Sequence, residues 1–164
     1  MAATDYGATA AAIRDMIVRG AGAIGAAAAY GLAQGARAFH GRDLGRFARH
    51  VERVFQALKA ARPTAVDPLN AMLQVRRRME AGTDVEEQQA LALAAAEEFA
   101  HEDVQHCQAI GDHGAKLIRD GMNILTHCNA GWLAFVDVGS ATGPMYRAQA
   151  RGRRFHVFCD ETRP

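Results

Sequence analysis

Apolar positions recur at helical spacing along most of the chain. Ala10 to Arg19 carries Ile13, Met16 and Ile17 on one face and Arg14 and Asp15 on the other, which predicts a helix. Ala26 to Leu32 predicts a second one, built of small residues that must pack closely on a neighbour. Leu44 to Lys59 is amphipathic, with apolar Leu44, Phe47, Val51, Val54, Phe55 and Leu58. The stretch Arg62-Pro-Thr-Ala-Val-Asp-Pro68 reads as a breaker. Each proline biases the residue before it away from helix, so Arg62 is expected on a non-helical corner. Asn70 to Met79 resumes as helix, with Met72, Leu73 and Met79 on its apolar side. Gly82-Thr-Asp-Val marks a loop and an N-cap: Thr83 or Asp84 ahead of Glu86 and Glu87 starts a long helix from Val85 to Arg119, with a break near Gly111.

After Gly121 the pattern changes. Asn123 to His127 has a strand signal, Trp132 to Ala150 a helix signal, Arg151-Gly-Arg-Arg a turn and Phe155-His-Val-Phe-Cys159 a second strand signal, together one βαβ unit. Its crossover should be right-handed, with the two strands parallel and adjacent. Cys128 and the tail Asp160-Glu161-Thr162-Arg163 would then share the crevice at one sheet edge. A two-stranded parallel sheet cannot cover both its faces, so further βα units are expected to follow. The fold class expected is α/β: an N-terminal all-helical domain over residues 1–120, then the first βαβ unit of a Rossmann-like parallel-sheet domain over 121–164, incomplete.

Composition narrows the classes. At 164 residues, 49% apolar and 23% charged, the chain is expected to fold rather than stay disordered. A formal net charge of +1 gives no electrostatic grip on nucleic acid or on an anionic membrane, so neither is an expected partner. Three widely spaced cysteines do not make a disulfide framework. With no signal-peptide pattern and no long apolar run, a reduced, cytoplasmic protein is expected.

Three places carry candidate chemistry. In Asn123-Ile-Leu-Thr-His-Cys-Asn-Ala-Gly131, Cys128 sits where a strand hands over to a helix-like pattern. A helix N-terminus and a neighbouring imidazole there would favour thiolate; a small buried cysteine ending a strand fits the position as well. In Arg19-Gly-Ala-Gly-Ala-Ile-Gly25 the glycines match the spacing G-x-G-x-x-G, but helix rather than strand precedes them, so the dinucleotide fingerprint fails. Glycines, a following helix N-terminus and Arg19 still suit a phosphate, against the alternative of a tight helix–helix turn. The third place, His101, His106, His113 and Cys107 on the long helix, lacks the contributions from several helices that a bundle metal site needs. No metal is expected, and those side chains read as structural or solvated.

Four stretches in order are Ile13-Arg-Asp-Met-Ile-Val-Arg-Gly-Ala-x-Ala-Ile-Gly25, Arg62-Pro-Thr-Ala-Val66, Ile124-Leu-Thr-His-Cys-Asn-Ala-Gly131 and Asp160-Glu-Thr-Arg-Pro164. Together they resemble the methylthioribose-1-phosphate isomerase family of methionine salvage, which shares its fold with the regulatory alpha, beta and delta subunits of a translation-initiation exchange factor. The resemblance implies conversion of 5-methylthioribose 1-phosphate, a small-molecule sugar phosphate, to the open-chain ketose. It implies Arg19, Gly20 and Ala21 as a substrate-binding loop, Arg62 as a second substrate-binding arginine and Cys128 as the active-site cysteine. It also implies a homodimer, and no cofactor is expected. Three departures accompany it. Gly22 stands where the family usually has proline, loosening the loop. The family's catalytic aspartate and a substrate-contacting glutamine would fall beyond residue 164. The family's N-terminal β-rich lead-in would precede Met1. The chain is therefore expected to be truncated at both ends, to hold about half of the active site and to turn over little alone. A sister isomerase of 5-deoxyribose 1-phosphate or ribose 1,5-bisphosphate, or a non-catalytic regulatory relative, are the alternatives.

Overall fold

The computed structural model describes residues 2–160. The chain forms two compact units, Met1–Ala100 and His101–Pro164. The first is all helical: α1 (Tyr6–Arg14), α2 (Ala21–Arg37), α3 (Leu44–Ala61), α4 (Val66–Met79) and the first part of α5 (Val85–Gly114). The starts of α1, α3 and α5 are fixed by acidic caps. Asp5 Oδ1 accepts the Ala8 N–H at 2.8 Å, Asp43 Oδ1 that of Arg46 at 2.6 Å, and Asp84 Oδ1 that of Glu87 at 2.8 Å. At α5 the Thr83 N–H and hydroxyl also donate to Glu87 at 2.7 and 2.9 Å, which closes the loop expected there.

The small residues of α2 let neighbouring helices come close. A Cβ on Gly35 would lie 2.3 Å from Val54 Cγ1, and one on Gly31 would lie 2.9 Å from Leu58 Cδ2, so the branched side chains of α3 fill what would be side-chain volume on α2. Around that seam Ile13, Leu32, Phe47, Leu58, Met72 and Val75 are buried at 1% exposure or less. Each such side chain contributes on the order of 1.5–3 kcal/mol by leaving water.

Several boundaries differ from expectation, each for a local reason. The first helix covers Tyr6–Arg14 rather than Ala10 to Arg19, because Asp5 caps it early and Met16 takes a left-handed backbone (φ 57°) that ends it. The helix α4 starts at Val66 rather than Asn70. Pro68 falls in its first turn, where a missing N–H costs nothing. No break occurs near Gly111, and α5 is continuous to Gly114.

The second unit holds the rest of α5, a 3₁₀ turn at Ala115–Leu117, β1 (Asn123–Thr126), α6 (Gly143–Ala150) and β2 (His156–Cys159). The strands pair in parallel, Asn123 with His156 through Thr126 with Cys159, as the βαβ reading requires. The two α5 glycines serve α6: a Cβ on Gly114 would lie 2.5 Å from Pro144 Cγ, and one on Gly111 would lie 3.3 Å from the Gly143 carbonyl. The expected helix from Trp132 to Ala150 is only half realised. Trp132–Ala134 is a single 3₁₀ turn, and a loop runs to Gly143. Val138 and Gly139 there have φ of 69° and 86°, and Gly139 presses on the Gly131 backbone, where no Cβ would fit. That contact bends the chain where helix was expected.

Candidate functional site

The candidate residues fall in both units. In the first, α1 ends at Arg14 and α2 begins at Ala21, joined by a turn in which the Ile17 and Val18 N–H groups both reach the Ala12 carbonyl, at 2.9 and 3.2 Å. Gly20 precedes α2 with φ 89° and ψ 153°, a conformation open to glycine. It offers no side chain to cap the helix, so the first N–H groups of a 17-residue helix point outward without a side-chain acceptor. Only Gly20 of the three glycines belongs to the turn. Gly22 and Gly25 lie within α2, and Gly25 faces the Phe99 ring, with 3.2 Å left for a Cβ. The glycine-rich loop expected from Arg19 to Gly25 is thus a short turn and a helix start.

Two arginines converge on that turn. Arg19 is exposed and its Nε donates to the Met16 carbonyl at 3.0 Å. Arg62 is half-buried on the corner that Pro63 imposes at the end of α3, and its guanidinium rests against the Met16 thioether. Arg14 is taken by Asp15, whose hydrogen bond from Arg14 holds its carboxyl below the usual range. Among the described residues neither Arg19 nor Arg62 meets a carboxylate. An uncapped helix N-terminus with two unpaired guanidinium groups beside it can take a dianion such as a phosphoryl group. Of this half, sequence reasoning named Arg19, Gly20, Ala21 and Arg62 but not Met16, which Arg62 meets through a contact 46 residues long that no local pattern signals.

In the second unit the parallel register carries β1 and β2 to a common carboxyl edge. One step past the last pair, His127 Nδ1 meets Asp160 Oδ2. Cys128 follows, exposed, with φ 66°. A left-handed backbone costs a residue with a Cβ roughly 1–2 kcal/mol. The expected strand end at His127 moves back to Thr126. The expected helix N-terminus beyond Cys128 is absent among the described residues near it: the next helical segment is the single 3₁₀ turn at Trp132–Ala134, and α6 starts at Gly143. The neighbouring imidazole is present but is turned to Asp160. That carboxylate reaches the edge as the βαβ reading requires, while Glu161, Thr162 and Arg163 lie outside the described residues.

A cavity of about 630 Å³ opens between the strands and α6, lined by Thr126, Val157, Cys159, Met145 and Tyr146 among others. Cys128 is not part of that lining. The hydroxyls of Thr126 and Thr142 are buried there with no hydrogen-bond partner among the described residues. On the opposite face of the strands Leu125 and Phe158 are 69% and 51% exposed. Elsewhere His101, His106 and His113 are exposed, His101 bonding Gln105, and Cys107 is buried. Among the described residues no three His, Cys, Asp or Glu side chains are placed to hold a metal ion, and no helix is long and apolar enough to cross a membrane.

A helical unit with an anion-suited helix start and a βαβ unit with a cysteine at the carboxyl edge of its two parallel strands define an α/β protein. Residues 17–164 match the model of the initiation factor 2 subunit family, and the chain belongs to that family. It is 46% identical to a methylthioribose-1-phosphate isomerase of Methylorubrum extorquens, over 94% of this chain and 42% of that one. It is 43% identical to an enzyme of the same name from Geotalea uraniireducens, over 98% of this chain and 47% of the relative. The chain thus spans less than half the length of these curated relatives. Among solved structures it resembles translation initiation factor eIF-2B subunit delta from A. fulgidus, with TM-score 0.86 and 38% identity over 100% of this chain and 48% of that one. It also resembles 5-methylthioribose 1-phosphate isomerase from Pyrococcus horikoshii, with TM-score 0.79 and 31% identity over 94% and 52%.

Proposed function

We propose that the protein acts in aldose–ketose isomerisation of 5-methylthioribose 1-phosphate to 5-methylthioribulose 1-phosphate. The observation that carries the reading is the meeting of Arg19 and Arg62 on Met16, beside the uncapped start of α2 and without a carboxylate between them. The names of the curated relatives support it. In this reading residues 1–120 form the helical, phosphate-holding part and residues 121–164 belong to the catalytic one.

Substrate and product are isomers, so the step needs no net oxidant. The ring opens, a hydrogen leaves carbon 2 and one arrives at carbon 1. The substrate phosphate lies on the α2 N–H groups at Gly20 and Ala21, with the Arg19 and Arg62 guanidinium groups on its oxygens. Cys128 is the acid–base or transition-state-stabilising group of the reaction. A homodimer in the cytoplasm completes the proposal; three free cysteines are compatible with a reducing compartment.

A regulatory, non-catalytic role has its own support in the likeness to the A. fulgidus delta subunit. A hybrid enzyme separates the two: this chain replaces the matching residues of the Methylorubrum extorquens relative, and ketose formation is followed. Turnover that Cys128→Ser lowers far more than it lowers affinity supports the isomerase. A folded hybrid without turnover refutes it. The same assay on 5-deoxyribose 1-phosphate and ribose 1,5-bisphosphate tells which group at carbon 5 is preferred.

A further inference from the structure

The ladder between β1 and β2 ends at Thr126 and Cys159, yet the side chains one residue on still pair: His127 Nδ1 with Asp160 Oδ2. A carboxylate only accepts, so Nδ1 carries the hydrogen and donates it. The two side chains are 78% and 45% exposed, and a pair so wet adds little to stability. Its position is more telling than its strength. It ties the residue immediately before Cys128 to the neighbouring strand, and the backbone turns at Cys128 itself. Cys128 takes φ 66°, which a residue with a Cβ holds only where its surroundings fix it. No α-helix follows to set the sulfur's direction, since the next helical segment is three residues long.

We propose that His127 and Asp160 are positioning residues: their cross-strand pair fixes the left-handed turn at Cys128 and so aims its sulfur at the substrate. The catalytic part of this inference rests on the isomerase reading; the geometric part does not. The pair also gives Asp160 a role distinct from acid–base chemistry, because its carboxylate is spent on the imidazole.

Both parts are tested separately. NMR of the chain reads the backbone at Cys128 through its Cα and Cβ shifts and its HN–Hα coupling, while resonances of α1 to α4 report that the protein is folded. The left-handed signature should persist in Asp160→Asn, which keeps an acceptor for the imidazole N–H, and disappear in Asp160→Ala and His127→Ala. Persistence in Asp160→Ala overturns the proposal. In the hybrid enzyme, Asp160→Ala should lower kcat at least tenfold with KM within twofold, and Asp160→Asn should recover part of the loss. Equal losses in kcat and in affinity, or unchanged kcat, overturn the positioning role. A hybrid that keeps full turnover with Cys128→Ser refutes the isomerase reading of Cys128 and leaves the NMR result standing.

Discussion

The guanidinium of Arg62 rests on the thioether of Met16, a residue whose own carbonyl accepts a hydrogen bond from Arg19 at 3.0 Å. One residue in a left-handed turn therefore fixes two cations that arrive from different parts of the first unit. Arg19→Ala and Arg62→Ala should each weaken binding of 5-methylthioribose 1-phosphate by about 10- to 100-fold, the worth of a hydrogen bond to a charged group, roughly 1.5–3 kcal/mol. Because both lean on Met16, the double variant should lose less than the product of the two. Titration calorimetry measures all three. Unchanged affinity in Arg19→Ala would remove the phosphate from this turn.

The seam between α2 and α3 depends on the absence of one methyl group. A Cβ on Gly35 would lie 2.3, 2.7 and 3.0 Å from the three branch atoms of Val54, which is itself fully buried. Gly35→Ala should therefore destabilise the helical unit by about 1–3 kcal/mol despite alanine's better helix propensity. Val54→Ala in the same chain should restore part of the loss by reopening the space. Urea midpoints of the single and double variants decide it, and a stabilised Gly35→Ala would contradict the packing described.

The three thiols should separate by environment. Cys128 and Cys159 are exposed, whereas Cys107 is 2% exposed on α5. Burial, reinforced by Asp103, pushes the Cys107 thiol up from its ordinary value. Iodoacetamide at neutral pH should label Cys128 and Cys159 and leave Cys107 untouched, as peptide mass spectrometry reads directly. A group whose pKa is raised by folding stabilises fully below its unfolded value and loses that contribution as pH climbs to the folded one. The second unit should therefore weaken on the alkaline side, above the ordinary thiol range, and Cys107→Ala should abolish that part of the decline. Denaturation midpoints measured across alkaline pH provide the check.

The helices and the parallel pair were legible because periodicity reports which faces are apolar, and most faces here are buried within their own unit. Phe47, Val51, Val54, Phe55 and Leu58 are all buried, as their spacing on α3 requires. The misread boundaries share a cause. Pro68 and Gly111 look like breakers in isolation, but a first-turn proline and a glycine under Gly143 are compatible with continuous helix. In Trp132 to Ala150 the helical pattern is overridden by the contact of Gly139 with Gly131. Within the candidate site, Arg19, Gly20, Ala21, Arg62 and Cys128 were named from family resemblance, and their roles are the proposal made above. Met16 was not, because its role comes from a long-range contact. The facing of His127 and Asp160 follows from the register, which neither strand sequence states alone.

Gly22 offers a last test, at the position where the family resemblance implies proline. The structure puts it second in α2, after Gly20 as cap and Ala21, so it stiffens no loop. The chain already tolerates proline at the corresponding place, since Pro144 is second in α6, and Pro68 is third in α4. The first intrahelical bond of α2 comes from the Ile24 N–H to the Gly20 carbonyl at 3.0 Å, so the Gly22 N–H is outside the ladder. Gly22→Pro should thus remove unfolded-state freedom without removing a helix bond, a gain of about 0.4–1 kcal/mol. Gly22 is buried, and the ring must fit against its neighbours. A higher urea midpoint with unchanged affinity for 5-methylthioribose 1-phosphate is the expected result. Lost affinity would show instead that the substrate uses the Gly22 N–H, and a lower midpoint that the ring collides with the core.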